Sequence, residues 1–73
     1  MNRTRLQIPF EVKPHAVDRF MQRSGASDRE RAAATLRKFA ALAMPWSRAK
    51  NQWHHNGWIL VIRRRAILTV YRL

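Results

Sequence analysis

His15, Arg19 and Arg23 recur at i, i+4 and i+8, so on a helix one imidazole and two guanidiniums share a face across about two turns. That set suits phosphodiester chemistry. An imidazole titrates near physiological pH and can take a proton from a ribose 2′-hydroxyl or return one to a leaving oxygen. The two guanidiniums would hold the phosphate and offset the charge that grows on its equatorial oxygens. Tyr71 adds a phenol near the C-terminal end of the sequence, able to orient a phosphate or stack a base. The same residues also read as a wetted helix face, with Asp18 pairing a neighbouring cation, and as cross-strand packing of a strand tyrosine.

Arg63, Arg64 and Arg65 are three consecutive cations that crowd one another unless an anion or solvent intervenes. They are the best phosphate-contact candidates in the chain, and a solvated loop is the plain alternative. Lys50, Trp53 and His54 extend the candidate nucleic-acid set along a nearby stretch, where aromatic faces interleaved with cations suit stacking on splayed bases. Of the three tryptophans, Trp58 is expected to be mostly structural, because a small core needs large side chains. His54 and His55 are adjacent, so on a strand they point to opposite faces and cannot ligate one ion together.

The wider composition narrows the chemistry. The chain has no cysteine and only four Asp and Glu, which excludes disulfides, thiolate metal sites and a cysteine nucleophile. No metal or other cofactor is expected. Fifteen Lys and Arg, twelve of them Arg, give a formal charge of +11 on 73 residues. A charge excess of this size repels itself, and a polyanion both relieves the repulsion and releases condensed counterions. Nucleic acid is the expected partner, as RNA or a ribonucleoprotein, with anionic lipid headgroups and an acidic protein surface as the competing polyanions that charge alone does not separate. The longest apolar runs, Phe39 to Met44 and Trp58 to Ile62, fall far short of a bilayer span. With no secretory pattern at Met1 to Arg5, a cytoplasmic location is expected.

At 47% apolar residues the chain can fold rather than remain a basic tail, and its length suits one domain over residues 1 to 73. Leu6, Ile8, Phe10 and Val12 alternate with polar residues, the period of a half-buried strand, which Pro9 restricts to a sheet edge. Pro14 then opens a helix to Ser24, with Ala16, Val17, Phe20, Met21 and Ser24 on one arc and Gly25 as its terminator. A capping box of Ser27 and Glu30 predicts a second helix to about Ala43, with Ala33, Leu36, Phe39, Ala40 and Ala43 on its buried stripe and Pro45 ending it. Strands follow at Lys50 to His54, Trp58 to Arg63 and Ala66 to Arg72. His55-Asn56-Gly57 supplies the positive-φ positions of a tight hairpin turn between the first two, whereas Arg63 to Arg65 gives no turn signal. On the last strand, Ile67, Thr69, Tyr71 and Leu73 are expected on one face and Leu68 and Val70 on the other. The expected fold is α+β, in the order β-α-α-β-β-β, with two helices on one face of a mostly antiparallel four-stranded sheet. An exposed strand edge would also suit pairing with a second copy or a partner.

This order of elements, the helix Pro14-His15-Ala16-Val17-Asp18-Arg19-Phe20-Met21-Gln22-Arg23 and the closing Ile67-Leu68-Thr69-Val70-Tyr71-Arg72 together resemble the RelE-like and BrnT-like ribonuclease toxins. The resemblance rests on His15-Ala16, Arg19, Arg23 and Thr69-Val70-Tyr71. It implies a RelE-like sheet, a toxin-antitoxin or mobile-element setting with an acidic antitoxin, and metal-independent RNA cleavage or, in inactive relatives, binding without chemistry. The rival reading is a non-catalytic phage- or plasmid-encoded inhibitor that docks its basic, aromatic surface on a host nucleoprotein or acidic protein patch.

Overall fold

A computed structural model describes residues 10–46 and 50–73. Among them the chain forms β1 (Glu11–Val12), α1 (Pro14–Ser24), α2 (Arg29–Leu42), β2 (Met44–Pro45), β3 (Gln52–His55), β4 (Trp58–Arg63) and β5 (Ala66–Arg72). The stretch of the first predicted strand before Phe10 lies outside the described residues.

The α+β class holds, but the sheet is not the expected four-stranded one. It has five strands in the order β1-β5-β4-β3-β2, and β1 runs parallel to β5 while every other pair is antiparallel. The added strand, β2, is two residues at the sheet edge beside β3. Pro45 ends α2 as expected and then takes an edge position, where its missing N–H leaves no ladder bond unmade.

Both helices pack on one face. Pro14 sits in the first turn of α1, and Gly25 closes it at φ 81°, donating its N–H to the Met21 carbonyl at 2.9 Å. Ala16, Val17 and Phe20 of α1 meet Leu36 of α2 and Trp58, Leu60, Ile67 and Val70 of the sheet in one buried cluster. Fully burying each large aliphatic here contributes about 1.5 to 3 kcal/mol. The N-cap of α2 is Asp28 rather than Ser27, and its carboxylate accepts from the Arg31 N–H at 3.1 Å. An anionic cap also complements the helix dipole, which favours Asp over its serine neighbour. The buried stripe of α2 is Ala32, Leu36 and Ala40, with Ala33 and Phe39 half-buried. Three successive alanines, 32 to 34, gave the helical wheel no sharp apolar boundary.

β5 departs from simple alternation. Val61 pairs with Thr69 but Ile62 pairs with Ile67, so Leu68 is an extra residue at a bulge. The bulge resets the side-chain period, and Ile67 joins Val70 on the helix side instead of facing away with Thr69 and Tyr71. Trp58, Leu60 and Trp53 share that covered face, while Gln52, His54, Ile59, Val61, Thr69 and Tyr71 line the other.

Candidate nucleic-acid interface

The two predicted groups of functional residues fall in different parts of the molecule. His15, Arg19 and Arg23 lie on the outer side of α1, with His15 and Arg23 exposed and Arg19 half-buried. Among the described residues none of the three side chains makes a hydrogen bond or ion pair, and Asp18 is engaged by Arg29 of α2 instead. Tyr71 is not beside them. It stands on the helix-free face of the sheet, where its hydroxyl donates to Gln52 Oε1 at 3.0 Å. The α1 trio therefore shares one helix face as two cations and an imidazole, without the phenol.

The second group converges. Arg63 and Ala66 pair across a two-residue loop in which Arg64 has φ 50° and Arg65 φ 62°. Positive φ at both central positions makes this a type I′ hairpin turn, the geometry that matches strand twist and that Asn-Gly normally supplies. Two arginines occupy it at a strain of roughly 1 to 2 kcal/mol per residue, because Cβ crowds the following carbonyl. Nearby, Asn51 also sits at φ 64°, with its carbonyl accepting from the Ile62 N–H at 2.8 Å. Such strained backbone clusters at binding sites, held by the surrounding ladder.

The turn rims a cavity of about 400 Å³. Trp53 and Phe10 supply its aromatic walls, Ala40, Ala43 and Ile62 complete the apolar lining, and Asn51 with the three arginines forms the polar rim. Its wall is braced. The Arg65 guanidinium lies 4.5 Å from the centroid of the Phe10 ring, and the Phe10 carbonyl accepts from Arg37 Nε at 3.0 Å. The Arg65 carbonyl in turn accepts from the Glu11 N–H at 2.8 Å, tying β1 to the turn. Arg65 thus shapes the site, whereas exposed Arg63 and Arg64 project at its mouth and also border a second, shallower hollow beside Glu11 and Leu68.

Of the candidates read from sequence, Arg63, Arg64, Arg65 and Trp53 come together here, and Lys50 precedes Asn51 at the same end of the sheet. His54 does not join them. It faces the opposite side, 5.2 Å from the Trp46 ring centre, while His55 turns inward to Phe39 at 4.9 Å. Phe10 and Asn51 are not among those candidates. Asn at a strand entrance is the signal that could have found Asn51, since it tolerates the left-handed region. Nothing in the pattern around Phe10 separates a cavity wall from a core residue.

Charge compensation is sparse. Twelve of the fifteen Lys and Arg fall in the described residues, and carboxylates pair with two of them, Lys13 with Glu11 and Arg29 with Asp18. No group of three or more His, Asp or Glu among the described residues is placed to hold a metal ion, and no described helix is long and apolar enough to cross a membrane. Compared with known proteins, the chain matches no family model, no curated protein and no solved structure.

Proposed function

We propose that this chain is a small RNA-binding protein whose principal contact surface is the β4–β5 arginine turn and the aromatic cavity beneath it. The observation that carries the reading is the turn itself. A hairpin loop that favours Asn and Gly holds two arginines at positive φ, so local backbone preference has been overridden where guanidiniums meet an aromatic hollow. Guanidiniums fork onto phosphate oxygens and stack on bases, and the cavity offers indole and phenyl faces for an unpaired base.

Fluorescence anisotropy with a labelled single-stranded RNA across a salt series tests this. If four to six phosphates are neutralised, log K falls against log[salt] with a slope of roughly −3 to −4. Changing Arg63 and Arg64 together to Ala removes two phosphate contacts, which flattens the slope by about 1.4 and weakens binding by about 25-fold near 0.1 M salt. A flat salt response, or stoichiometric capture of an acidic protein with no RNA affinity, overturns the proposal in favour of a protein-docking inhibitor.

The α1 trio supports a second activity on the same substrate, metal-independent cleavage, because an exposed imidazole lies one helical turn from a guanidinium with neither engaged elsewhere. With EDTA present, His15→Ala and Arg19→Ala are then expected to lose cleavage of structured RNA while the parent retains it. Equal cleavage by all three removes the assignment and leaves binding intact.

A further inference from the structure

The cavity under the arginine turn has properties that a plain phosphate-binding surface does not need. A surface that only tracks a backbone needs cations, yet this one has a cavity of about 400 Å³, within the roughly 300 to 1,000 Å³ of small-ligand sites. Its walls are Trp53 and Phe10, and its remaining lining is small or aliphatic. Ala40 of α2 and Ala43, the extended residue just past its end, leave open the space that larger side chains would fill. The Phe10 wall is fixed in advance by Arg65 stacked on its ring and Arg37 bonded to its carbonyl, so little ordering remains to be done when a ligand enters.

We infer that this cavity takes one unpaired nucleobase, lodged between Trp53 and Phe10, with the phosphate of the same nucleotide on Arg63 and Arg64 at the mouth. The inference rests on the RNA-binding reading above and sharpens it: the site selects strands with a free base over duplex. The aromatic and aliphatic part of the lining favours a base over sugar and phosphate, which would lose hydration against it. A duplex cannot present a base here without unpairing and unstacking it. The Asn51 amide at the rim supplies a donor and an acceptor for a base edge.

Three labelled decamers test it at one salt concentration: a mixed-sequence single strand, an abasic ribose-phosphate strand of equal charge, and the single strand annealed to its complement. Base stacking on aromatic side chains predicts the abasic strand to bind about ten- to a hundredfold more weakly than the intact one. Ala43→Leu narrows the cavity without touching a cation, and is expected to bring the intact strand to within about twofold of the abasic strand. Competition needs no variant: a nucleoside monophosphate displaces the labelled strand at concentrations where ribose 5-phosphate does not. Equal binding of intact and abasic strands, or competition by ribose 5-phosphate as good as by the nucleotide, overturns the base site while leaving RNA binding standing. An intact-strand preference that a folded Ala43→Leu protein keeps in full also overturns it. Failure of all three decamers to bind overturns both readings together.

Discussion

Two hairpins of the same geometry join the last three strands, and their sequences could hardly differ more. Between β3 and β4, Asn56 and Gly57 occupy the turn at φ 51° and 81°; between β4 and β5, Arg64 and Arg65 occupy it at φ 50° and 62°. The first pair is what the backbone prefers, since both residues tolerate the left-handed region. The second is what the backbone tolerates. Fold stability alone would put Asn-Gly in both places, and on the RNA-binding reading the arginine turn is where stability is traded for a surface. The neighbourhoods agree with that division: Gly57 lies in open space with nothing near its missing side chain, while the arginine turn overlooks an aromatic cavity.

Making the second turn a copy of the first breaks the comparison most forcefully. Arg64→Asn with Arg65→Gly removes one phosphate contact at the mouth and the guanidinium that braces Phe10, which lowers RNA affinity by at least about fivefold near 0.1 M salt. Stability moves the other way. Relief of left-handed strain, offset in part by loss of the Arg65 contact with Phe10, leaves a gain of about 1 kcal/mol, or a melting temperature higher by roughly 4 to 8 °C. Thermal melts and anisotropy on one protein preparation give both numbers. A variant that loses stability as well as affinity would show that the arginines serve the fold.

The mirror change belongs to the other turn. Gly57→Ala adds a methyl group that meets no atom, so its whole effect is backbone strain at φ 81°, about 1 to 2 kcal/mol of lost stability. RNA affinity is expected to stay within about twofold, because no cation moves. Helix capping provides a control away from both hairpins: Asp28→Ala leaves the Arg31 N–H without its acceptor and lowers stability by about 1 kcal/mol, again with RNA binding unchanged. If Asp28→Ala or Gly57→Ala depresses affinity in proportion to its melting temperature, binding follows global stability and not the arginine turn.

These contrasts also explain what the sequence could disclose. Asn56-Gly57, Pro14 and Gly25 are residues whose own conformational limits dictate the local backbone, and each appears where it was read. Arg64-Arg65 carries no such limit, so its turn type is imposed by the ladder on either side. β2 is two residues long and has no period to detect, and alternation in the first strand says nothing about which strand it will lie beside or in which direction. The bulge at Leu68 depends on pairing with β4 rather than on any residue preference, and it reversed the expected side of Ile67. Among the site residues, three consecutive arginines announced themselves by type. The cavity did not, because Phe10, Ala40, Ala43, Trp53 and the turn come from separate stretches that only the folded chain unites.

The smallest expected effect separates placement from charge. Arg72 lies at the far end of β5, about 20 Å from the arginine turn at 3.4 Å per strand residue, with its guanidinium 5.0 Å from the Trp58 ring centre. It is exposed, so its stacking on Trp58 is worth about 0.5 to 1 kcal/mol, and Arg72→Ala lowers the melting temperature by at most about 8 °C. One phosphate contact near 0.1 M salt corresponds to about fivefold in affinity on a single strand, and a cation this far from the cavity is expected to fall below that. Were Arg72→Ala to weaken RNA binding as much as the Asn-Gly copy of the β4–β5 turn, net charge and not position would govern affinity. The strain at Arg64 and Arg65 would then have no counterpart in binding, and the difference between the two hairpins would need another cause.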